Sequence, residues 1–344
     1  MPTTLGDLPH HYERLGLKKG VIEPREDGLR TNASEGSFEW WYLDTHLDDG
    51  SKMVITFYTK PPNVSASRPL MPFVSFLLDR PDGTHVERGF LAPPEAFAAS
   101  SAGCDVRIGN NTFKGDLKRY TIHVEIDDIV ADVELTSEVP SFRPATGHVF
   151  FGEKEDQFVA WFPAVPQGSA KVELSIAGVR QTFAATAYHD HNWGNTSLRK
   201  IIDHWYWARA RVGDYTIIGL MFMGGKNFGS GIITSFMLAK AGEILVDDQN
   251  KLTFTTRGRS VNEETGVPYD DNLIYEQSVG DDRYGVTFSR TRDLYTMNFG
   301  PVGAYIRFGG TASLERHRHG ELVESGSAPA IWELLHFGER SVVS

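Results

Sequence analysis

The sequence predicts an all-β protein built from two barrel-type or sandwich-type domains. Short segments that alternate between apolar and polar residues, separated by Gly, Asn, Asp and Pro turns, run through nearly the whole chain. No segment of about 12 or more residues shows the 3.6-residue periodicity of an amphipathic helix. With 344 residues the chain exceeds one ordinary hydrophobic core, which favours two domains.

The composition indicates packed cores and disfavours some partners. The chain is 40% hydrophobic and 12% aromatic, and its net charge of −11 disfavours nucleic acid or an anionic membrane surface. Cys104 is the single cysteine, so no intrachain disulfide can form. No apolar run approaches the ~18 residues of a membrane span, and the first residues lack the apolar segment of a signal peptide. We therefore expect a cytoplasmic protein without a membrane span.

In the first half, the segment 1–30 is polar and broken by Pro and Gly, which predicts a peripheral arm. Residues 61–69 predict a loop, 93–100 one helical turn, and 140–144 and 147–151 loop or crossing segments. A tight turn is expected at Ala177-Gly178. The predicted strands are 38–47, 52–58, 73–78, 85–91, 104–108, 119–126, 131–137, 157–163, 170–176 and 179–187.

The second half of the sequence shows the same succession of short predicted strands and turns. Its predicted strands are 205–212, 215–222, 231–239, 243–246, 252–257, 272–278, 284–290, 304–318 and 321–324. In each half an aromatic cluster, at Trp40 or at Trp205, opens a long hairpin, and this weak internal repeat places a seam near residues 185–200. We expect one β-domain at 31–187 and a second at 188–344, after the arm.

Chemistry is concentrated in three short stretches, FEWWYLD at 38–44, YHDHNWG at 188–194 and HWYWAR at 204–209. They contain five of the seven tryptophans together with several acids and histidines. Aromatic faces beside titratable groups suit a site for a large apolar substrate.

Strand parity divides the first stretch between two faces. Trp40, Tyr42 and Asp44 share one face, and Glu39 and Trp41 share the other. A glutamate between aromatic residues is a candidate general acid with a raised pKa. The alternative is a core strand whose glutamate pairs with an arginine. We predict Glu39 as catalytic, and Trp40, Trp41 and Tyr42 as substrate-binding.

The second stretch alternates in the same way. His189, His191 and Trp193 face one side, and Tyr188 and Asp190 face the other. A His-x-His pair on a strand can bind a metal, but the expected carboxylate is missing at the next offset, where the chain has Asn195 instead. The histidines could instead fix a turn or act as acid and base groups. We predict no metal. The predicted catalytic residues are His189, His191, Asp190 and Tyr188, and Trp193 is predicted to bind substrate.

The third stretch places Trp205, Trp207 and Arg209 on one face. They could form a pocket wall in which Arg209 pairs with a carboxylate such as Glu39 or Asp190, or they could belong to a barrel core closed by arginine. Tyr295 and Phe299 are predicted to extend an apolar lining.

Several motifs are missing from the sequence. It has no Gly-x-Gly-x-x-Gly fingerprint, no Gly-x-Ser-x-Gly elbow, and a Gly224-Gly225-Lys226 segment without phosphate-loop spacing. Cys104 shows no evident histidine partner. These features disfavour NAD, ATP and hydrolase chemistry, and we expect no cofactor.

The EWWYLD stretch with its following Asp-Asp-Gly turn, together with YHDHNWG and WYWAR, resembles the lipocalin-like superfamily of carotenoid 1,2-hydratases (hydroxyneurosporene synthases) and AttH-like proteins, which includes fungal Diels-Alderases. The resemblance covers nearly the whole chain. It implies two lipocalin-like β-domains in tandem, with an apolar pocket in or between them and no cofactor. It also implies that His189 or His191, Asp190 and nearby Trp and Tyr residues lie at the acid end of the site.

Members of that superfamily add water to a C=C bond or perform a [4+2] cycloaddition. We favour a cyclase of the Diels-Alder or hetero-Diels-Alder type, acting on a polyene or enone polyketide or terpenoid. A hydratase of isoprenoid C=C bonds and a carrier of apolar small molecules are the alternatives. We expect Glu39→Gln and Asp190→Asn to lower the rate without unfolding the protein; if both unfold it, these are core pairs.

Overall fold

The computed structural model describes residues 2–32, 36–61, 69–246 and 251–338. About 64% of the residues are in strands and 8% in helices, which confirms the all-β prediction. The chain divides into two compact units. The N-terminal unit consists of Leu5–Phe150 and Gln157–Ser197, and the C-terminal unit of Met1–Thr4, Phe151–Asp156 and Leu198–Ser344.

Within the described residues, the first sheet has 13 strands. They are β1 (Thr3–Leu5), β2 (Phe38–Leu47), β3 (Lys52–Tyr58), β4 (Phe73–Asp79), β5 (His85–Leu91), β6 (Phe97–Ala99), β7 (Asp105–Ile108), β8 (Asn111–Gly115), β9 (Arg119–Ile126), β10 (Ile129–Ser137), β11 (His148–Phe151), β12 (Gln157–Ile176) and β13 (Val179–Gly194). The main path runs β5-β4-β3-β2-β13-β12-β10-β9-β8-β7-β6, with β1 and β11 off this path.

Alternation of apolar and polar residues explains why several predicted strands agree with the structure. The bounds of β2, β3, β5 and β9 are those predicted, because each strand buries every second residue or lies between clear turn residues. Ala177 and Gly178 both have positive φ and form the predicted turn between β12 and β13. Residues 62–68 of the predicted loop at 61–69 lie outside the described residues.

Three predictions in this half need correction. Residues 147–151 were expected to form a loop, but β11 is a strand buried at all four positions, so it shows no alternation. The strands predicted at 157–163 and 170–176 are one strand, β12, whose register shifts between Phe162 and Gly168. Pro163 and Pro166 lie at these shifts, where a residue without an N–H is tolerated. Finally, β13 continues to Gly194, so the expected domain boundary at 187/188 falls inside this strand.

The second sheet has nine strands in the part of the chain that the structure describes. They are β14 (Ile202–Val212), β15 (Tyr215–Gly224), β16 (Ile232–Lys240), β17 (Glu243–Ile244), β18 (Thr253–Val261), β19 (Pro268–Val279), β20 (Asp282–Asn298), β21 (Ala304–Arg318) and β22 (Glu321–His336), in the order β17-β16-β15-β14-β22-β21-β20-β19-β18.

The strand β22 is much longer than the predicted 321–324. Gly326 and Pro329 interrupt its pattern, but both are paired with β21. Pairing of β22 with β14 begins only at Ala330, so the missing N–H of Pro329 costs no hydrogen bond on that side. The extension matters because it carries Trp332, Glu333 and His336.

Each sheet has its own hydrophobic core. In the N-terminal unit the core includes Trp41, Leu43 and Phe57, and in the C-terminal unit it includes Tyr206, Phe308 and Trp332. Helices are short: α1 (Pro9–Leu15), α2 (Leu198–Ile201) and 3-10 turns at Pro24–Asp27, Pro94–Ala96, Lys226–Phe228 and Gly300–Val302. Among the described residues, no helix combines the length and the apolar character needed to cross a membrane.

Candidate active site

The candidate site is organised by β13, which lies between β2 and β12. Because side chains alternate along a strand, His191 and Trp193 point to the core of the unit, while Tyr188 and Asp190 point to the opposite face. On β2, Trp41 belongs to the core, whereas Tyr42 lies directly opposite Asp190. The predicted parity of both stretches is therefore confirmed, and the predicted site residues occupy two faces of one sheet.

The core face carries an inner cluster, defined as Asp27, Glu39, His189 and His191. His191 Nε2 lies 2.8 Å from Glu39 Oε1, and His189 Nε2 lies 3.1 Å from Asp27 Oδ2. All four residues are completely buried. Two acid-imidazole pairs thus lie inside the hydrophobic core, where unpaired charges would be very costly.

Glu39 is fully occupied by protein donors. Its carboxylate accepts hydrogen bonds from the main-chain N–H of Arg30 at 2.6 Å, and from the N–H and hydroxyl of Thr31 at 2.8 and 2.7 Å, in addition to the contact with His191. The stretch before β2 is therefore anchored to β2 through this carboxylate. These contacts give Glu39 a clear structural role.

Asp27 is held as a carboxylate. Burial by itself raises the pKa of Asp27, but the charges of His189 and His191 and the hydrogen bonds from His189 and Tyr120 outweigh it and keep this pKa below its ordinary value. The Tyr120 hydroxyl donates to Oδ2 at 2.6 Å. Burial likewise disfavours the charged form of His189, but Asp27 outweighs burial and raises the pKa of His189. The pair behaves as a buried ion pair.

Two members of this region were not predicted as site residues. Asp27 lies in the 3-10 turn Pro24–Asp27, within the segment predicted to be a peripheral arm, and it is completely buried. The neighbouring acids Glu26 and Asp27, which follow soon after Pro24, are the sequence feature that could have indicated a site residue here. Cys104 was assigned no histidine partner, yet ligand atoms of Cys104, Asp27 and His189 all lie within 4.8 Å of one another. Cys104 precedes β7 rather than lying in it.

The opposite face carries an outer cluster, defined as Asp190, Tyr188, Trp161 and Asn192. The Tyr188 hydroxyl and Trp161 Nε1–H donate to Asp190 Oδ2 at 2.8 and 2.9 Å, and Asn192 Nδ2–H donates to Oδ1 at 2.8 Å. Trp161 comes from β12, directly opposite Asn192, and was not predicted. Oδ1 receives one of these three donors, which leaves it the better placed oxygen to carry a proton.

Asp190 differs from Asp27 in the direction of its pKa shift. Burial raises the pKa of Asp190 to about 6, although Tyr188, Trp161, His189 and Asn192 all act to lower it. A carboxyl group with such a pKa is a suitable general acid near neutral pH. The Tyr42 ring meets the Tyr188 ring edge-on with centroids 6.3 Å apart, so aromatic rings lie beside the Asp190 carboxyl group.

Among the other residues predicted to bind substrate, Trp40 stacks on Phe38 with ring centroids 5.1 Å apart.

In the C-terminal unit, Trp205, Trp207 and Arg209 lie on the face that points away from the hydrophobic core. The core is formed instead by their neighbours Tyr206 and Ala208. The predicted shared face is confirmed, and the alternative of a barrel core closed by arginine is wrong. Trp207 and Arg209 are nevertheless only 6% and 7% exposed.

A polar and aromatic group surrounds Trp207. Glu333 lies directly opposite Trp207 on one side and opposite Arg307 on the other. The Tyr305 hydroxyl donates to Glu333, and Arg307 Nε–H donates to the Tyr305 oxygen at 3.2 Å. The predicted lining residue Tyr295 lies on this face, with its ring 6.3 Å from that of Tyr305.

Phe299 is placed differently from Tyr295. It follows the end of β20 and stacks on Phe337 with ring centroids 6.2 Å apart. The structure thus brings Tyr295 to the face of Trp207, while Phe299 lies beyond the end of the strand.

Comparison with known proteins identifies the family. The profile of the Diels-Alderase-like family matches residues 24–264, which is more than half of the chain. The protein belongs to the Diels-Alderase-like family. The match includes the inner and outer clusters and the stretch HWYWAR at 204–209.

Curated relatives agree with this family. Over 213 residues the chain is 25% identical to the quinolone epoxide rearrangement protein penF of Penicillium thymicola, covering 57% of this chain and 58% of the relative. It is 26% identical over 205 residues to the hydroxyneurosporene dehydrogenase of Chlorobaculum tepidum, covering 51% and 53% of the two chains. The chain therefore spans little more than half the length of these relatives.

Solved structures share the fold. CghA superimposes with a TM-score of 0.64 at 14% identity, covering 94% of this chain and 97% of CghA. An AttH protein of Nitrosomonas europaea gives 0.60 at 17% identity and coverage of 97% and 100%. Kievitone hydratase of Nectria haematococca gives 0.57 at 16% identity, with coverage of 92% and 93%. The lipocalin-like fold implied by the sequence stretches is confirmed.

Proposed function

We propose that this Diels-Alderase-like protein is a cofactor-independent enzyme of secondary metabolism that cyclises or rearranges a polyene or enone of polyketide or terpenoid origin. The product would be an isomer of the substrate. The observation that carries the proposal is Asp190, a buried carboxyl group with a pKa of about 6 inside an aromatic and hydrogen-bonded cluster. Family membership and the relative named for an epoxide rearrangement support it.

The proposed role of Asp190 is to donate a hydrogen bond or a proton to a substrate oxygen. A carbonyl oxygen that accepts this hydrogen bond withdraws electrons from a conjugated C=C bond, which lowers the barrier to cycloaddition. If the oxygen belongs to an epoxide, its protonation allows one C–O bond to break, a neighbouring group to migrate, and a proton to return to the carboxylate. Both routes conserve the atoms of the substrate.

The remaining contribution is the folding of the substrate. A site that holds a flexible polyene in a near-attack conformation can contribute about 7–11 kcal/mol in the best cases. The rings of Tyr42 and Trp161 would contact the substrate and stabilise positive charge that develops during an acid-assisted step, while the buried Tyr188 would hold Asp190. In the C-terminal unit, Trp205, Trp207, Arg209 and Tyr295 remain candidates for substrate binding, because aromatic and charged groups there are directed away from the core.

Hydration is the second candidate function. An acid with the pKa of Asp190 would also protonate an alkene carbon, after which water would add to the cation. Kievitone hydratase shares the fold, although its low identity supports the fold alone. A carrier of an apolar small molecule is the third candidate and requires no acid. We retain the expectation of a cytoplasmic protein, which the single Cys104 supports.

The mass of the product separates these functions. The protein would be incubated with a linear polyene bearing an enone, with a quinolone epoxide and with an isoprenoid alkene, and the products would be analysed by liquid chromatography and mass spectrometry. We expect an isomer from the first or second compound. A product that has gained water would establish the hydratase, and recovery of bound but unchanged compound would establish the carrier. Asp132→Asn, at an exposed aspartate, serves as the matched control for Asp190→Asn.

A further inference from the structure

The C-terminal unit contains a second group of metal-ligating side chains, defined here as the rim cluster: Asp203, His204 and His336. One ligand atom from each lies within 4.8 Å of the others. His204 on β14 is directly opposite His336 on β22, and their rings stack with centroids 5.7 Å apart. His204 Nδ1 lies 2.6 Å from Asp203 Oδ1. Neither the proposed function nor the sequence-based site uses these residues together.

Local distortion of β14 creates this arrangement. Consecutive residues of a regular strand point to opposite faces, so Asp203 and His204 would normally be separated. The pairing of β14 with β15 shifts register between Ile202 and His204, and this bulge brings the carboxylate to the same side as the imidazole. Bulges frequently redirect a side chain next to a functional site.

The end of β22 leaves room for the carboxylate. A Cβ atom on Gly338 would lie 2.4 to 2.6 Å from the carboxylate atoms of Asp203, so any other residue there would displace it. The Phe337 N–H donates to the Asp203 carbonyl oxygen at 2.7 Å and fixes the backbone beside it. Gly338 therefore borders the carboxylate on one side, and Phe337 fixes the backbone of Asp203.

The rim cluster belongs to the core face of its sheet and not to the face of Trp207. His204 meets the ring of Tyr206 edge-on at 5.8 Å, and His336 pairs with Ala304; both Tyr206 and Ala304 belong to the hydrophobic core. The cluster lies at the ends of β14 and β22, with the Asp203 and His204 side chains 21% and 17% exposed. An ion can therefore reach it without unfolding the unit.

From this geometry we infer that the rim cluster is a binding site for one divalent transition-metal ion. Two imidazole nitrogens and one carboxylate oxygen are the donor set of open zinc sites and of non-haem ferrous sites, which keep at least one position for water or another ligand. Protein ligands of zinc lie about 2.1 Å from the ion, so ligand atoms that lie within 4.8 Å of one another must move closer around the ion as it binds. The metal would bridge β14 and β22 at the end of the sheet.

The inference is tested by metal titration of the intact protein. The chain is treated with chelator, freed of chelator, and titrated with Zn²⁺ by calorimetry and with Co²⁺ by visible absorption. We expect one ion per chain, a d–d spectrum from Co²⁺ and a higher Tm with metal. Asp203→Asn and His336→Gln should each weaken binding at least about 100-fold, which is the upper end of the cost of losing an outer-shell partner.

Two control variants identify the site. His317→Ala removes a histidine of β21 outside the cluster and should leave the titration unchanged. Cys104→Ser alters the buried group of Asp27, Cys104 and His189, and it should also leave the titration unchanged. Asp203→Asn keeps the side-chain shape, so it carries the test if His336→Gln does not fold.

Three results would overturn the inference: no stoichiometric binding, binding that survives both Asp203→Asn and His336→Gln, or binding that only Cys104→Ser removes. None of these results bears on the proposed cyclase, because every readout is metal binding and not activity.

Discussion

The inner and outer clusters lie on the two faces of β13, and the pKa values of Asp27 and Asp190 are shifted in opposite directions. On the inner face, Asp27 is paired with an imidazole, which holds its pKa below the ordinary value. On the outer face, the donors to Asp190 among the described residues are the neutral side chains of Tyr188, Trp161 and Asn192, and burial raises its pKa to about 6. Burial is similar on both sides, so the partner of each acid decides its protonation.

This difference separates structural from chemical roles. An acid that is paired with a buried histidine, such as Asp27, compensates the charge of that histidine in the core. Because it is held as a carboxylate, it is poorly suited to donate a proton. An acid without a cationic partner is costly to ionise, and it therefore keeps a proton that it can donate. We accordingly expect substitutions in the inner cluster to affect stability first, and substitutions in the outer cluster to affect the reaction first.

The largest effect should follow from Asp190→Asn. Loss of a general acid typically costs about 10²- to 10⁴-fold in rate, and we expect kcat to fall by that amount. Asparagine keeps the shape of the side chain, and its oxygen can still accept the hydrogen bonds of Tyr188 and Trp161, so we expect the variant to fold. Turnover and thermal unfolding would be measured on the same preparation. A variant that retains full turnover would show that Asp190 is not the acid.

Glu39→Gln should have the next largest effect, on stability. Glutamine offers one acceptor oxygen where the Glu39 carboxylate accepts from Arg30 and Thr31 and contacts His191, and each buried donor left unsatisfied costs about 1–3 kcal/mol in the free energy of unfolding. Urea denaturation would measure this change, with the exposed Glu173→Gln as control. If the Glu39→Gln variant has the same free energy of unfolding as the original protein but has lost turnover, the inner cluster takes part in the reaction.

The pH dependence of stability should reveal the raised pKa of Asp190. Its pKa is raised from 3.8 to about 6, so its neutral form stabilises the folded state at low pH and this contribution is lost as the pH rises from about 4 to 6. This rise in the pKa of Asp190 corresponds to roughly 3 kcal/mol in the free energy of unfolding. The stability of Asp190→Asn relative to the original protein should therefore increase over this interval. Parallel curves for the two proteins would contradict the assignment.

The rate should follow the same group. If protonated Asp190 is the active form, kcat should be constant below pH 6 and decrease about tenfold for each unit well above it. The profile should be flat for the residual activity of Asp190→Asn. A decrease that persists in this variant would assign the titration to another residue.

Tyr188→Phe should have the smallest effect. The hydroxyl of Tyr188 donates to Asp190 and helps to lower its pKa, so its removal should move the inflection of the rate profile to higher pH. Turnover near neutral pH should change only several-fold, by roughly the 1 kcal/mol of one hydrogen bond. An inflection that moves to lower pH would mean that the hydroxyl stabilises the neutral carboxyl group.

Much of the fold could be predicted because alternation is a local property. Strands such as β2 and β9 have the predicted bounds, and the parity of Glu39 and Trp41 against Tyr42 is read directly from their positions in the chain. The prediction failed where the local pattern was weak. The strand β11 is buried throughout and does not alternate, and the second half of β22 is interrupted by Gly326 and Pro329.

By itself, the sequence determined which side chains share a face of β2, β13 and β14, because a strand has a period of two residues. Only the tertiary structure decided which groups meet across those faces. Asp27 reaches His189 from 162 positions away along the chain, and Trp161 reaches Asp190 from the neighbouring strand. Register and chain path set these contacts, and the contacts in turn set the pKa of each acid. Two aspartates that look equivalent in the sequence thereby acquire opposite properties.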